Sequence, residues 1–187
     1  MHKFCAVLIV ASGLINFAAR AQVTNVTFTE LETFETRPGT VIVKGAGQVG
    51  SMTIGAVNVA VIYKESMDAT TSHKEYGVAV EFNENNRRGV RMVVDYDEMD
   101  SLLNGLNYLA QIDSNVTTLP TFVASYVTKS GLRVGAYTSQ RRGAIQYFLQ
   151  DRNINSGRIL ITPAQLTQFR SLLQQAKQNL DSLRTST

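Results

Sequence analysis

The sequence predicts an α+β fold built from two antiparallel ββββα units, Val41–Gln111 and Thr121–Leu183, which follow a short N-terminal helix. One observation behind this prediction is a strand-to-helix pattern that occurs twice, beginning at Gly89 and at Gly157. The apolar positions of the two copies correspond in order: Met92, Val94, Met99, Leu102, Leu106 and Leu109 match Ile159, Ile161, Leu166, Phe169, Leu173 and Ala176. The other observation is that stretches of alternating apolar residues, separated by turn sequences, precede each copy. A repeated supersecondary unit restricts the possible folds more than an isolated motif does.

The first 21 residues have the pattern of a secretory signal peptide. Lys3 supplies the positive charge, Phe4–Ala18 is largely apolar, and Ala19–Ala21 satisfies the small-x-small cleavage rule. The alternatives are a membrane anchor, for which the apolar run is short, and a buried first helix. We therefore predict cleavage after Ala21, a secreted or periplasmic location, and one α+β domain over residues 22–187. In these respects the chain is similar to small secreted bacterial proteins.

The elements of the first half follow from local spacing. Phe28, Leu31 and Phe34 predict a short amphipathic helix that ends before Pro38. Strands are predicted at residues 40–44, 54–64, 76–82 and 90–94, where β-branched or alternating apolar residues occur. Asp95 is predicted to cap the helix that follows, with Glu98 as its capping-box partner. The buried stripe of that helix is predicted to be Met99, Leu102, Leu106 and Leu109.

The second half repeats this order after a polar connection at residues 111–120. Strands are predicted at residues 121–128, 132–138, 144–150 and 158–161. Thr162, Pro163 and Gln165 combine an N-cap, a proline at the first helical position and a capping-box partner. The last helix is predicted to bury Leu166, Phe169, Leu173, Ala176 and Leu180.

Two four-stranded meanders, each followed by a helix, resemble in topology the tandem units of the Whirly and PUR-repeat single-strand nucleic-acid-binding proteins. This resemblance in topology covers nearly the whole chain after the predicted signal peptide. It implies a surface on which a single strand would bind by base stacking and phosphate contact.

The two halves carry opposite charge. Gln22–Asp113 has 7 basic and 13 acidic residues, whereas Ser114–Thr187 has 9 basic and 2 acidic residues. Either the halves complement each other, within a monomer or across a homo-oligomer, or the basic half presents a face to an anionic partner. Both interpretations remain open from the sequence.

The candidate ligand-binding residues are Arg133, Arg141, Arg142 and Arg158, with Lys129 as a further contributor to one positive surface. The aromatic residues of the neighbouring strands are Tyr126, Tyr137, Tyr147 and Phe148. These aromatics either provide stacking surface beside the charges or pack in the core, as strand aromatics usually do.

Three further features are weighed for chemistry. Gly45–Gly50 matches the G-x-G-x-x-G pattern, but a strand rather than a helix is predicted after it, so no nucleotide site is expected. The acidic residues at 95–100 suit a helix N-terminus better than a calcium loop. His73 is predicted to lie exposed on a loop, without a nucleophile motif. The single cysteine, Cys5, belongs to the predicted signal peptide.

These observations predict an exported binding protein with no catalytic residue, no cofactor and no metal site. Its expected partner is a protein, a glycan or an anionic component of the cell envelope, and export argues against nucleic acid. The alternatives are a single-strand nucleic-acid-binding protein of Whirly or PUR-like build and a secreted hydrolase that uses His73 or a carboxylate pair.

Overall fold

The computed structural model describes residues 28–84, 87–138, 144–151 and 157–186. The predicted signal peptide, Arg141 and Arg142 lie outside these residues. Within the described ranges, no helix is long and apolar enough to cross a membrane.

The fold consists of two four-stranded antiparallel sheets, each followed along the chain by a helix, and the predicted α+β class is confirmed. The first half contains α1 (Glu30–Glu35), β1 (Ile42–Ile54), β2 (Val57–Asp68), β3 (Lys74–Glu84), β4 (Arg87–Asp95), a 3₁₀ turn (Tyr96–Glu98) and α2 (Met99–Gln111). The second half contains β5 (Val123–Val127), β6 (Arg133–Thr138), β7 (Ile145–Gln150), β8 (Ile159–Ile161) and α3 (Pro163–Thr185). The strand order is β1-β2-β3-β4 in the first sheet and β5-β6-β7-β8 in the second.

The glycine-rich segment is part of a long strand rather than a loop. β1 runs through Gly45–Gly50 and pairs with β2 along its whole length, with a bulge between Gln48 and Gly50. The hairpin turn comes later, at Gly55, and β2 follows it directly. A helix N-terminus, which a dinucleotide phosphate site requires at this position, therefore does not follow Gly50.

Each sheet is covered mainly by the helix of the other half. α3 packs across β1, β2 and β3, whereas α2 packs against β5 and β6, and the two helices contact each other. Gly105 makes the approach of α2 to β5 possible, because a Cβ at this position would lie 2.6 Å from the Tyr126 ring. The sequence predicted one helix for each sheet, and the structure shows that the two helices are exchanged.

One apolar core joins both sheets and both long helices. The predicted stripes of α2 and α3 are buried, as the spacing of their apolar residues requires. Thr162 and Gln165 form the predicted capping box at the start of α3, with Pro163 in its first turn. These predictions are confirmed. They could be made from the sequence because they depend only on residues within one or two helical turns.

The prediction that Asp95 caps the following helix is wrong. Neither Asp95 nor Glu98 makes a side-chain capping hydrogen bond there. The buried carboxylate of Asp95 instead accepts hydrogen bonds from the backbone N–H groups of Glu30, at 2.9 Å, and Leu31, at 3.1 Å. Asp95 therefore satisfies the first turn of α1, which would otherwise leave N–H groups without partners.

The other end of α1 is held by a partly buried ionic cluster. The Glu35 carboxylate pairs with the ammonium of Lys64 and accepts a hydrogen bond from the Ser66 hydroxyl at 2.8 Å. Burial acts to raise the pKa of Glu35, but the hydrogen bonds from Lys64 and Ser66 outweigh it and hold the pKa below its ordinary value. With Leu31 and Phe34 buried, α1 is anchored to the first sheet at both ends.

Candidate functional site

The second sheet has a face that points away from α2, and we call it the outer face. Its side chains alternate along each strand with those of the core, as strand geometry requires. The outer face comprises Val123, Ser125, Val127, Arg133, Gly135, Tyr137, Gln146, Phe148, Gln150 and Leu160. The exposed Arg158 precedes β8 and extends over this face.

The Arg158 guanidinium is held against two aromatic rings. Its central carbon lies 4.5 Å from the centroid of Phe148 and 5.1 Å from that of Tyr137. The Tyr137 hydroxyl donates a hydrogen bond to Gln146 at 2.6 Å, which fixes the orientation of its ring. Because both rings make cation–π contacts with it, the arginine charge has a defined place on the outer face.

Arg133 contributes a second positive charge to the same face. It lies on β6, opposite Val127 of β5 and Gln150 of β7, and is half-buried. Strands β5 to β8 contain no aspartate or glutamate, and Asp151 follows β7 directly, next to the Gln150 that pairs with Arg133. The structure therefore brings Arg133 and Arg158 to one face, while Arg141 and Arg142 lie outside the described residues.

Most of the strand aromatics pack in the protein rather than offering stacking surface. Tyr147 belongs to the core, and Tyr126 lies against α2 with its hydroxyl 2.6 Å from that of Ser101. Phe148 has no exposed surface, because its ring covers Gly135, where a Cβ would lie 2.5 Å away, and Arg158 lies above it. Tyr137 alone among the four is partly exposed on the outer face.

The outer face also carries exposed apolar side chains. Val123 is 59% exposed, Leu160 52% and Val127 45%. Val123 and Val127 lie on the edge strand β5, and Leu160 lies on the edge strand β8. Arg133 and Tyr137 lie on the inner strand β6, and Arg158 extends over Phe148 of the inner strand β7. The surface therefore combines a basic centre with apolar margins.

Lys129 does not belong to this surface, contrary to the prediction. Its ammonium contacts Asp97 at 3.1 Å, Asp95 at 3.4 Å and Glu30 at 3.7 Å. Burial acts to lower the pKa of Lys129, but the carboxylates of Asp97 and Asp95 outweigh it and raise the pKa above its ordinary value. Part of the opposite charge of the two halves is thus neutralised within the molecule.

The acidic segment at 95–100 surrounds this lysine. Among the described residues, no three histidine, cysteine or acidic side chains are grouped so that they could hold a metal ion. Glu98 accepts a hydrogen bond from the backbone N–H of Lys129 at 2.9 Å through Oε1. The cluster therefore ties the start of α2 to the turn between β5 and β6.

Replacing Glu98 with glutamine should stabilise the protein at neutral and alkaline pH. Glu98 is buried, its Oε2 has no hydrogen-bond partner, and burial raises its pKa above the ordinary value. A raised pKa in the folded state gives a stability contribution that is present at low pH and is lost as pH rises through that pKa. Glutamine keeps the acceptor without the charge, so we expect a gain of about 1 kcal/mol above neutral pH.

Urea unfolding of Glu98→Gln over a pH series measures this effect. The gain should shrink toward acidic pH, where the native carboxyl is already protonated. Glu84→Gln, at an exposed position of β3, is the matched control and should leave the curve unchanged. A gain at Glu98 that does not depend on pH would contradict this explanation.

His73 is exposed in the turn between β2 and β3, as predicted. Its Nε2 lies 2.9 Å from Oε1 of Glu75, at the rim of a cleft of about 300 Å³ lined also by Tyr76, Asp97 and Arg184. In the described part of the chain, no serine or threonine hydroxyl is hydrogen-bonded to the imidazole. The hydrogen-bond partner of the imidazole is thus the carboxylate of Glu75.

Comparison of the chain with protein-family models, with curated proteins and with solved structures finds no match.

Proposed function

We propose that this chain is a non-catalytic binding protein that takes an anionic partner on the outer face of the second sheet. The observation that carries the proposal is the placement of Arg158 over Phe148 and Tyr137, on the same face as Arg133. A guanidinium that is already oriented loses less conformational entropy when it binds a carboxylate, sulfate or phosphate.

The partner that fits this face best has both negative charge and apolar surface. The exposed Val123, Val127 and Leu160 flank the basic centre and would contact the apolar part of such a partner. If the predicted signal peptide directs export, the partner belongs to the cell envelope or to the exterior. An acidic lipid surface, an acidic glycan and an acidic protein all meet these requirements to different degrees.

The first alternative is single-strand nucleic-acid binding. The partly exposed Tyr137 beside Arg133 and Arg158 supports it, because aromatic and basic side chains together bind single strands. The burial of Phe148 and the predicted export both weigh against it. The second alternative is hydrolysis at the cleft beside His73, and the contact of its imidazole with Glu75 supports it.

Charge reversal at both arginines should weaken binding to an anionic probe. The probes are phosphatidylglycerol vesicles, heparin and an oligothymidylate, each titrated with the chain from residue 22 onward. Because a hydrogen bond to a charged group contributes about 1.5–3 kcal/mol, Arg133→Glu with Arg158→Glu should weaken binding at least about tenfold. Arg158→Lys, which keeps the charge but loses the planar stacking, should have a smaller effect.

Arg91→Glu is the matched control for Arg133→Glu. Arg91 lies on β4 of the first sheet, is 55% exposed and pairs with Glu81, so its reversal changes the net charge without touching the outer face. Equal loss in Arg91→Glu and Arg133→Glu would show that only net charge matters and would contradict the proposal. Binding of oligothymidylate alone, with a steep dependence on salt, would favour the nucleic-acid alternative.

A further inference from the structure

The strand β5 forms one edge of the second sheet and, among the described strands, pairs with β6 alone. The hydrogen bonds at its two ends show which way its backbone groups point. The carbonyl of Phe122 accepts from the N–H of Thr138 at 3.1 Å, and the N–H of Thr128 donates to the residue before β6 at 2.9 Å. Because successive residues of an edge strand direct these groups to opposite sides, every second residue of β5 directs its N–H and C=O away from the sheet. These residues are Val123, Ser125 and Val127, and all three are exposed.

The other edge strands carry features that oppose pairing with a further strand. β1 contains Lys44 and a bulge between Gln48 and Gly50, β4 contains three arginines, and β8 has only three residues. Charges, bulges and short length keep sheet edges from associating. β5, with the sequence Val-Ala-Ser-Tyr-Val, has no charge, no proline and no shift in its register with β6. Its open side is therefore the edge, among the described strands, that is suited to accept another strand.

The open side of β5 is complementary to itself. When a second β5 lies antiparallel to it with the two Ser125 residues opposite each other, Val123 of each copy lies opposite Val127 of the other. In this register each of the three residues exchanges both of its outward hydrogen bonds with the residue opposite. A shift of two residues in either direction would place serine opposite valine and leave one valine of each copy without a partner in β5. One register is therefore favoured over its neighbours.

The side chains on both faces of β5 suit this pairing. On the outer face, Val123 and Val127 of different copies contact each other side by side and remove apolar surface from water. On the opposite face, Tyr126 of each copy lies opposite Ala124 of the other. An open apolar pocket of about 400 Å³ lies on that side, next to the edge, and is lined in part by Ala124, Tyr126 and the 59% exposed Tyr108. The added strand would thus contact apolar side chains on each face.

We propose that β5 is a homodimer interface, at which two copies of this chain join their second sheets by antiparallel pairing about Ser125. This inference does not depend on the proposed anionic partner, and it leaves both outer faces accessible, side by side on one continuous sheet. The two Arg133 residues lie three strand spacings apart, at least about 14 Å, which exceeds the Debye length of about 8 Å at physiological salt. Their repulsion is therefore weak. A five-residue edge buries less than the roughly 1,600 Å² of a standard interface, so the dimer exchanges with the monomer.

Sedimentation velocity of residues 22–187 over a concentration series measures the association. The unmodified chain should pass from monomer to dimer between about 1 µM and about 1 mM. Val123→Glu with Val127→Glu places like charges opposite each other across the pair, whereas Val123→Lys with Val127→Glu places opposite charges at the same exposed positions. Like charges directly opposite destabilise strand pairing and opposite charges stabilise it. The Kd of the Glu–Glu variant should therefore exceed that of the Lys–Glu variant at least about tenfold.

A cysteine at Ser125 tests the register independently. Opposite residues of a hydrogen-bonded pair have Cα atoms about 5.5 Å apart, within the range of a disulfide, and residues 22–187 contain no cysteine. Ser125→Cys should therefore give a disulfide-linked dimer when it is treated with oxidised glutathione. Ser51→Cys is the matched control, because Ser51 is exposed on the edge strand β1, and it should stay monomeric.

Three results would each overturn the proposal. One is that the unmodified chain remains monomeric at about 1 mM. Another is that the Glu–Glu and Lys–Glu variants associate equally, although thermal unfolding shows that both are folded. The last is that Ser51→Cys cross-links as fully as Ser125→Cys, which would show that the disulfide reports chance collision and not the pairing of β5.

Discussion

Replacing Asp95 with alanine should lower the free energy of unfolding by about 3 kcal/mol, although the residue lies at the end of a strand. The substitution leaves without acceptors the buried N–H group of Leu31 and the partly buried N–H group of Glu30. It also removes a carboxylate that contacts Lys129 at 3.4 Å. Because α1 has only six residues, loss of these two hydrogen bonds should loosen the helix from the first sheet, even though Thr29 and Glu32 still form its capping box.

Unfolding in guanidinium chloride measures the change in stability, and hydrogen exchange at the backbone amides of α1 reports whether the helix leaves the first sheet. Asp97→Ala is the matched control, because Asp97 also pairs with Lys129 but is 60% exposed and caps nothing. Exposed ion pairs contribute little, so this variant should lose less than about 1 kcal/mol. Equal losses in Asp95→Ala and Asp97→Ala would show that the two hydrogen bonds from α1 to Asp95 do not stabilise the fold.

Neither half of the chain should fold when it is produced alone. In residues 22–119 the apolar face of the first sheet lacks α3, and in residues 120–187 the second sheet lacks α2. The five residues buried along α3 include Leu166, Phe169 and Leu173. Burial of such side chains contributes about 1.5–3 kcal/mol each, and their sum is comparable to the total stability of a domain, about 5–15 kcal/mol.

Circular dichroism and thermal unfolding of the separate halves check this result. Each half should show no cooperative transition, and an equimolar mixture should recover one. The matched control is the intact chain cut within residues 113–119, where the connection carries no helix or strand. A cooperative transition in the isolated first half would mean that α2 can cover its own sheet.

The roles of Thr162 and Asp95 differ in whether they can be predicted from the local sequence. Thr162 caps α3 through Gln165, three residues away, so its role follows from the local pattern. Asp95 has the same kind of local pattern with Glu98. Its carboxylate, however, accepts hydrogen bonds from Glu30 and Leu31 of α1, which lie 65 and 64 residues earlier in the chain. Folding brings the end of β4 beside α1, and a pattern of neighbouring residues cannot predict a contact between such distant positions.

The basic surface of the second sheet was also predicted only in part. The sequence predicted a basic surface on the second sheet, and the structure places Arg133 on the outer face and Arg158 over Phe148 and Tyr137. The pairing of Lys129 with Asp95 and Asp97 was missed, because basic residues near each other in sequence were assumed to share a face. The covering of Phe148 by Arg158 was missed as well, since it depends on the path of the chain before β8.

By itself, the sequence determined the order of strands and helices, the apolar face of each long helix and the capping box at Thr162. These depend on backbone hydrogen bonds and side-chain spacing within a few residues. The tertiary structure decided which helix covers which sheet, which helix Asp95 caps and where Lys129 is neutralised. Such contacts depend on which surfaces meet after the chain has folded, and residues far apart in sequence supply both sides of each contact.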